Sequence, residues 1–252
     1  MDGYTRIMSF NVRCGEFEPR QKIVPQIIAE YLPDTVGVQE CTYEWYQTIC
    51  AALPGYEFVG VGRDSGGTDP DCGEISGVLF LKEKYSLLDS GTFWLSETPH
   101  VVSFGWDACC RRVCTWAVLE EKATGKKFAH VNTHLDHISE PARKYGIELV
   151  REKALSIDMP AVVTGDFNLD KGCDLYYQLT AEGLSDTQDT AKQTMYGKTY
   201  HGYNGGEDGE PIDFICVNEK ITSVKEYRIV RDTYGDSCYI SDHYPIFADM
   251  VF

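Results

Sequence analysis

The apolar positions of this chain follow two rhythms. Short apolar runs closed by a polar residue read as strands, and longer stretches with an apolar residue at every third or fourth position read as helices. Ile7 to Asn11 is the first strand. Gln21 to Leu32 reads as a helix with Ile23, Ile27, Ile28 and Tyr31 on one face, and Pro25 is tolerated if it sits in the first turn. Thr35 to Glu40 is a strand, Thr42 to Leu53 a helix that stops at Pro54-Gly55, and Tyr56 to Val61 another strand. Residues 62–73, rich in Gly, Asp and Ser, are read as a solvated loop before strands at 74–81 and 85–95. Segments 111–120 and 126–134 alternate and are joined through Ala123-Thr-Gly125, which predicts a hairpin. A helix over 141–156 precedes the run Pro160-Ala-Val-Val-Thr-Gly-Asp-Phe-Asn168. A helical segment at 176–181, strands at 212–217 and 224–230, and an apolar strand after Asp242-His243 complete the chain. No linker or short repeat interrupts it. The pattern predicts one domain over residues 1–252, an α/β sandwich of two packed sheets covered by helices.

Composition narrows the partners. Of 252 residues, 43% are hydrophobic and 25% charged, as in ordinary soluble domains. The formal net charge of -16 argues against a protein that grips long duplex nucleic acid, which calls for a basic face. No apolar run is long enough to span a bilayer, and Met1 to Ile7 has neither a basic nor an apolar leader region, so a cytoplasmic protein is expected. The ten cysteines include no CxxC pair, and the cluster Cys109-Cys110-Arg-Arg-Val-Cys114 lacks the spacing of a structural zinc site. They are read as reduced thiols, several of them in the core.

Candidate chemistry collects at strand ends. In extended backbone Asp166 and Asn168 face one side while Phe167 turns into the core. Such a pair serves equally well as turn residues. Asn11, Glu40, Glu74, His134, Asp213, Asp242 and His243 also stand at strand ends or next to them. Each alone could cap a turn or helix. Together they supply carboxylates and amides for a hard divalent ion, Mg²⁺ or Mn²⁺ rather than zinc, and two histidines for acid-base work on a phosphate ester.

Ser9-Phe-Asn11, Val38-Gln-Glu40, Asn132-Thr-His-Leu-Asp-His137, Gly165-Asp-Phe-Asn168, Pro211-Ile-Asp-Phe-Ile215 and Ser241-Asp-His243 resemble, in order, the motifs of the endonuclease/exonuclease/phosphatase superfamily. Ser90 to Pro99 is similar to a compact bacterial branch of it. The resemblance spans the chain and implies the DNase I-like fold, a four-layer α/β sandwich with two mixed sheets flanked by helices. It implies Glu40 as the principal metal ligand, with Asn11 and Asp242 completing or flanking the ion site. Asp166 would activate the attacking water and Asn168 would hold that water or the phosphate. His243, held by Asp213, would contact the scissile phosphate. His134, supported by Glu74, would act on its other side. The abasic-site endonucleases of the superfamily carry Tyr where this chain has His134, which points away from that branch.

The expected activity is therefore a divalent-metal-dependent hydrolysis of a small or short phosphodiester or phosphomonoester. A nuclease acting on single strands and a non-catalytic binding module on the same fold are the alternatives. Arg111, Arg112 and Arg143 are more simply read as surface arginines than as substrate contacts. Trp106, Tyr200 and His201 are candidates to line the cleft.

Overall fold

In the computed structural model, residues 3–15, 17–234 and 238–252 are described. The first half contains β1 (Thr5–Asn11), α1 (Phe17–Tyr31), β2 (Thr35–Cys41), α2 (Tyr43–Ala52), β3 (Tyr56–Val59), β4 (Ile75–Leu81), β5 (Tyr85–Trp94) and β6 (Val113–Glu121). The second contains β7 (Lys127–His134), α3 (Glu140–Ser156), β8 (Ala161–Asp166), α4 (Asp174–Leu179), β9 (Leu184–Asp186), α5 (Thr187–Thr190) and β10 (Asp213–Asn218), then β11 (Ser223–Ile229), β12 (Thr233–Tyr234), β13 (Cys238–Tyr239) and β14 (Ile246–Val251). One six-stranded sheet runs β11-β14-β1-β2-β4-β3 and the other β5-β6-β7-β8-β10-β9. Each is mixed, with one parallel pair, β1 with β2 and β7 with β8.

Strand alternation assigns each side chain to a layer. Ile7, Val78 and Phe80 of the first sheet meet Leu119, Phe128, Val162 and Ile215 of the second in the central core. Met8, Phe10, Val36 and Val38 face the other way and pack under Val24, Ile27 and Ile28 of α1 and Trp45 and Ile49 of α2. Val131, Val163 and Phe214 pack under Ile147 and Val150 of α3 and Leu179 of α4. The result is the four-layer α/β sandwich that the motifs implied. Helix α3 starts where Ser139 caps the amide of Ala142 with a proline in the first turn.

Two local expectations need correction. Helix α1 begins earlier than Gln21, with a break at Glu18, so Pro25 lies beyond the first turn. Its missing amide is accommodated inside a helix held by the buried Val24, Ile27 and Ile28. The stretch between Ala181 and Pro211 carries the short elements β9 and α5, which its polar composition concealed.

Between the sheets the contact is not purely apolar. The buried His130 ring joins Thr35 Oγ1 to Thr164 Oγ1, 2.8 Å on each side. Thr164 Oγ1 donates to Asn132 Oδ1 at 2.9 Å, and Gln39 Nε2 donates to the same oxygen at 2.7 Å. The Asn132 amide donates to the carbonyls of Val38 and Gly77, so one side chain ties β7 to both β2 and β4. The approach is close because Gly37 has no side chain. A Cβ there would overlap Thr164 Oγ1 and stand 2.5 Å from Asn132 Oδ1.

This seam has a pH signature. Burial lowers the His130 pKa from 6.5 to about 3, so the folded protein keeps the ring neutral where the unfolded chain would take up a proton. The stability contribution is complete above pH 6.5 and is lost as pH falls toward 3, at about 1.4 kcal/mol per pH unit for one proton. Between pH 6 and 4, the unfolding free energy of wild type should fall more steeply than that of His130→Gln by about that slope. Parallel curves in urea titrations would show that His130 binds no extra proton on unfolding.

Candidate active site

The inner face turns polar at one end of the sandwich, and alternation delivers most of the site. Asn11 follows Ile7 and Ser9 on β1, His134 follows His130 and Asn132 on β7, and Asp166 follows Val162 and Thr164 on β8. Asp213 shares the inner side of β10 with Ile215 and Val217. Registry sets them side by side, with His134 opposite Asp166 and Asp213 opposite Asp166.

Glu40 arrives differently. By alternation it would point with Val36 and Val38 toward the helices. The register between β2 and β4 shifts between Val38 and Cys41, and Glu40 itself has φ +55°. This bulge re-aims the carboxylate into the site, where Asn11 Nδ2 donates to it at 3.0 Å and the Cys14 amide donates at 3.0 Å. Asn168 also departs from extended backbone, with φ +50°, and its amide donates to Asp166 Oδ1 at 3.0 Å. Asn tolerates this region better than most residues. Phe167 is fully buried against Phe214, as expected.

These groups open on one cavity of about 330 Å³. Glu40, Glu74, His134, Asp166, Asn168, Asp242 and His243 line it. Asn11 and Asp213 stand behind the lining. The Asn11 amide bridges Glu40 and Asp166, donating to Asp166 Oδ2 at 2.9 Å, and Asp213 Oδ2 lies 2.8 Å from His243 Nδ1. Asp166 Oδ2 lies between the histidines, 3.4 Å from His134 Nε2 and 3.6 Å from His243 Nε2.

The two rings are held in opposite charge states. Burial disfavours the His243 cation, but Asp213 and Asp166 outweigh it and raise the pKa to about 10. His134 is driven well below 6.5 by burial, with the Arg112 cation adding to the effect. The Asn168 amide nitrogen lies 3.0 Å from His134 Nε2, and with that amide donating, the ring proton sits on Nδ1, which is buried and unpartnered. Asp166 is raised to about 7, by burial first and then by Asp213, with His243 opposing. Burial also raises Glu40, but the Cys14 amide and the Asn11 side chain outweigh it, and the Glu40 carboxyl titrates below its usual range.

Several expected placements change. Glu74 does not support His134. Its carboxylate accepts from Arg63 at 2.7 Å, with Arg112 at 3.9 Å. Asp242 flanks Glu40 across Arg13, which lies 3.6 Å from each carboxylate. Arg112, expected at the surface, is buried and lines the cavity, whereas Arg111 pairs with Asp64 and Arg143 with the Asp136 carbonyl outside it. Tyr200 lines the mouth with its ring 5.0 Å from His243. His201 lies behind, stacked on Tyr244, and Trp106 stacks on Tyr145. Arg13, Cys14, Arg63, Cys110, His137 and Ile212 complete the lining; His137 and Ile212 fall within the quoted motifs, and nothing assigned any of the six a role. The nine cysteines whose side chains are described are free thiols; the side chain of Cys238 is outside that set.

The donor set fits a divalent cation. Ligand atoms of Glu40, His134 and Asp166 lie within 4.8 Å of one another, an oxygen-rich set with one imidazole. The Arg13 guanidinium, 42% exposed, lies 3.6 Å from both Glu40 and Asp242, so a cation of the chain itself stands among these carboxylates. The group Asp166, Asp213 and His243 is accounted for by its own ion pair. Cys109, Asp136 and His137 also cluster, but the Asp136 carboxylate already accepts from the amides of Cys109, Cys110, Ile138 and Ser139 and so anchors the loop before β6.

Comparison with known proteins agrees with this geometry. A Bacteroides vulgatus endonuclease/exonuclease/phosphatase has a crystal structure that superimposes with a TM-score of 0.91 at 39% identity, covering 98% of both chains. A Bacteroides thetaiotaomicron mannosyl-6-phosphatase gives a TM-score of 0.91 at 32% identity, over 98% of this chain and 100% of that one. A protein of Acanthamoeba polyphaga mimivirus is 26% identical over 92% of this chain and 91% of its own length. The sequence profile of the Endonuclease/Exonuclease/phosphatase family matches residues 8–243, from β1 to the site histidine before β14, and the chain belongs to that family.

Proposed function

We propose that this protein is a divalent-metal-dependent phosphohydrolase acting on a small phosphate ester, with a sugar phosphomonoester as the leading substrate class. The observation that carries the reading is Asp166, a buried carboxylate set between a neutral and a cationic histidine at the wall of the cavity. Asp166 takes the proton of the attacking water, and a carboxyl raised to about 7 is matched to that task near neutral pH. Asn168, whose side-chain N–H groups go to the Leu135 carbonyl and His134 Nε2, has its Oδ1 to hold the attacking water in line. His243, kept cationic by Asp213, donates to the oxygens on which charge builds. His134 stands beside Asp166 as a neutral ring, with Nε2 3.4 Å from the carboxylate.

Glu40 would hold Mg²⁺ or Mn²⁺, with Asn11 orienting its carboxylate and Asp242 flanking it across Arg13, which leaves Asp166 free as the base. Such an ion polarises the phosphoryl group and neutralises charge on it.

Two features favour a small substrate. The cavity, at about 330 Å³, suits a phosphate with one attached ring. The net charge of -16 opposes a long polyanion. The name of the mannosyl-6-phosphatase relative supports a sugar monoester. A panel of hexose 6-phosphates, bis(p-nitrophenyl) phosphate and single-stranded oligonucleotides, assayed with Mn²⁺, tests this. The monoesters should turn over fastest. Oligonucleotide cleavage that exceeds them and weakens steeply with salt would replace the reading with a nuclease. Turnover of nothing in the panel would leave a binding module.

A further inference from the structure

The cavity contains a cationic wall that the hydrolytic step above does not use. Arg112 and Arg63 have side chains only 7% and 15% exposed. Both line the cavity, and the buried Nε of each has no hydrogen-bond partner. Their backbones are fixed. The Arg63 amide donates to the Glu74 carbonyl, the Arg63 carbonyl accepts from Trp94 Nε1 at 2.7 Å, and the Arg112 carbonyl accepts from the Leu95 amide.

Glu74 serves both guanidiniums, at 2.7 and 3.9 Å, while Asp64 lies 4.0 Å from Arg63 Nε and His137 Nδ1 lies 3.2 Å from Arg112 Nη2. Asp136 is 4.0 Å from Arg112 Nε, but its oxygens already carry four backbone amides. A buried arginine that lacks a full set of acceptors is costly to keep unless a ligand completes it. Both arginines line the space that Asp166, Asn168 and His243 also line, so two guanidinium charges stand at its wall.

We propose that Arg63 and Arg112, held on either side of Glu74, form the subsite for the terminal oxygens of a phosphate group and set the preference for phosphomonoesters over phosphodiesters. Planar guanidinium forks match phosphate oxygens in pairs. A monoester presents three non-bridging oxygens and close to two negative charges at neutral pH, and a diester presents two oxygens and one charge. The second fork gains a partner only with the monoester. Glu74 is in this reading a positioning residue, which keeps the two forks apart and aimed. The inference rests on the phosphohydrolase reading, whose substrate preference it explains.

The test compares p-nitrophenyl phosphate with bis(p-nitrophenyl) phosphate in wild type, Arg112→Met, Arg63→Met, Arg112→Lys and Glu74→Gln. Arg112→Met and Arg63→Met should each lower kcat/KM for the monoester about 100-fold and for the diester less than tenfold, with Arg112→Lys in between. Titration of the metal-free protein with inorganic phosphate, followed by calorimetry, should show at least about tenfold weaker binding in both Met variants. An equal fall for both esters, or phosphate affinity unchanged by the substitutions, would overturn the subsite. So would a wild type that binds no phosphate. If wild type hydrolyses neither ester, the phosphohydrolase reading fails and the phosphate titration alone judges the arginines. Should Arg112→Met fail to fold by circular dichroism, the less buried Arg63→Met decides the comparison.

Discussion

Asp166→Asn is expected to lower kcat about a thousandfold while the protein stays as stable as wild type. The amide has the shape of the carboxylate and its one oxygen can still accept from Asn11, while its NH2 then faces the Asn168 backbone amide, a loss offset by removing a buried charge. What disappears is the proton acceptor beside both histidines, and with it one of the carboxylates that sustain the His243 cation. Stability moves little or rises, because burial and the nearby Asp213 both disfavour the charge at Asp166. Steady-state kinetics on the best monoester, beside a urea unfolding curve, separate the two effects. A kcat within tenfold of wild type would remove Asp166 from the proton-transfer role. A large loss of stability would mean that the carboxylate is chiefly structural.

Gly37→Ala should be the most damaging small substitution in the fold. A methyl at that position overlaps Thr164 Oγ1 and crowds Asn132 Oδ1, both of which belong to the seam that joins the sheets. Neither neighbour can retreat cheaply. Thr164 also bonds His130, and the Asn132 amide holds two backbone carbonyls. Overpacking together with broken buried hydrogen bonds costs about 3–5 kcal/mol, which for a chain of this size lowers Tm by roughly 8–15 °C. The site should suffer as well, because Gln39 and the bulge at Glu40 follow directly on the same strand. Gly55→Ala is the control, since a Cβ there meets nothing within 4 Å. Equal midpoints for the two variants would show that the sheets adjust more freely than the seam implies.

Much of this site was legible because alternation in a strand is simple geometry. Once Ile7, Val162 and Ile215 are placed in the core, Asn11, Asp166 and Asp213 must face the same interior at even spacing. The sandwich followed from the same periodicity, and the ordered motifs pointed to the family. Glu40 lay beyond alternation, because only a bulge turns it away from the helices. Its place was indicated by the motif, not by spacing. Asn168 reached the site through a left-handed residue where an extended one was expected. Arg63 was missed, and Arg112 was read as a surface residue. Arg63 and Glu74 are 11 positions apart on irregular backbone, and Arg112 lies beyond the start of its strand. An arginine in such a segment reads as solvated, and only the folded chain shows that Glu74 draws two of them inward.

In the proposed mechanism, the carboxylates at these strand ends hold a divalent ion on which phosphate-ester hydrolysis depends. The most direct measurement is phosphate release from a hexose 6-phosphate by protein stripped with EDTA, before and after Mg²⁺ or Mn²⁺ is restored, with Glu40→Gln alongside. Stripped protein should be inactive, restored protein active, and Glu40→Gln should need much more metal to reach half of its rate. Hydrolysis that continues undiminished in EDTA, or that responds to metal identically with and without the Glu40 carboxylate, would contradict it.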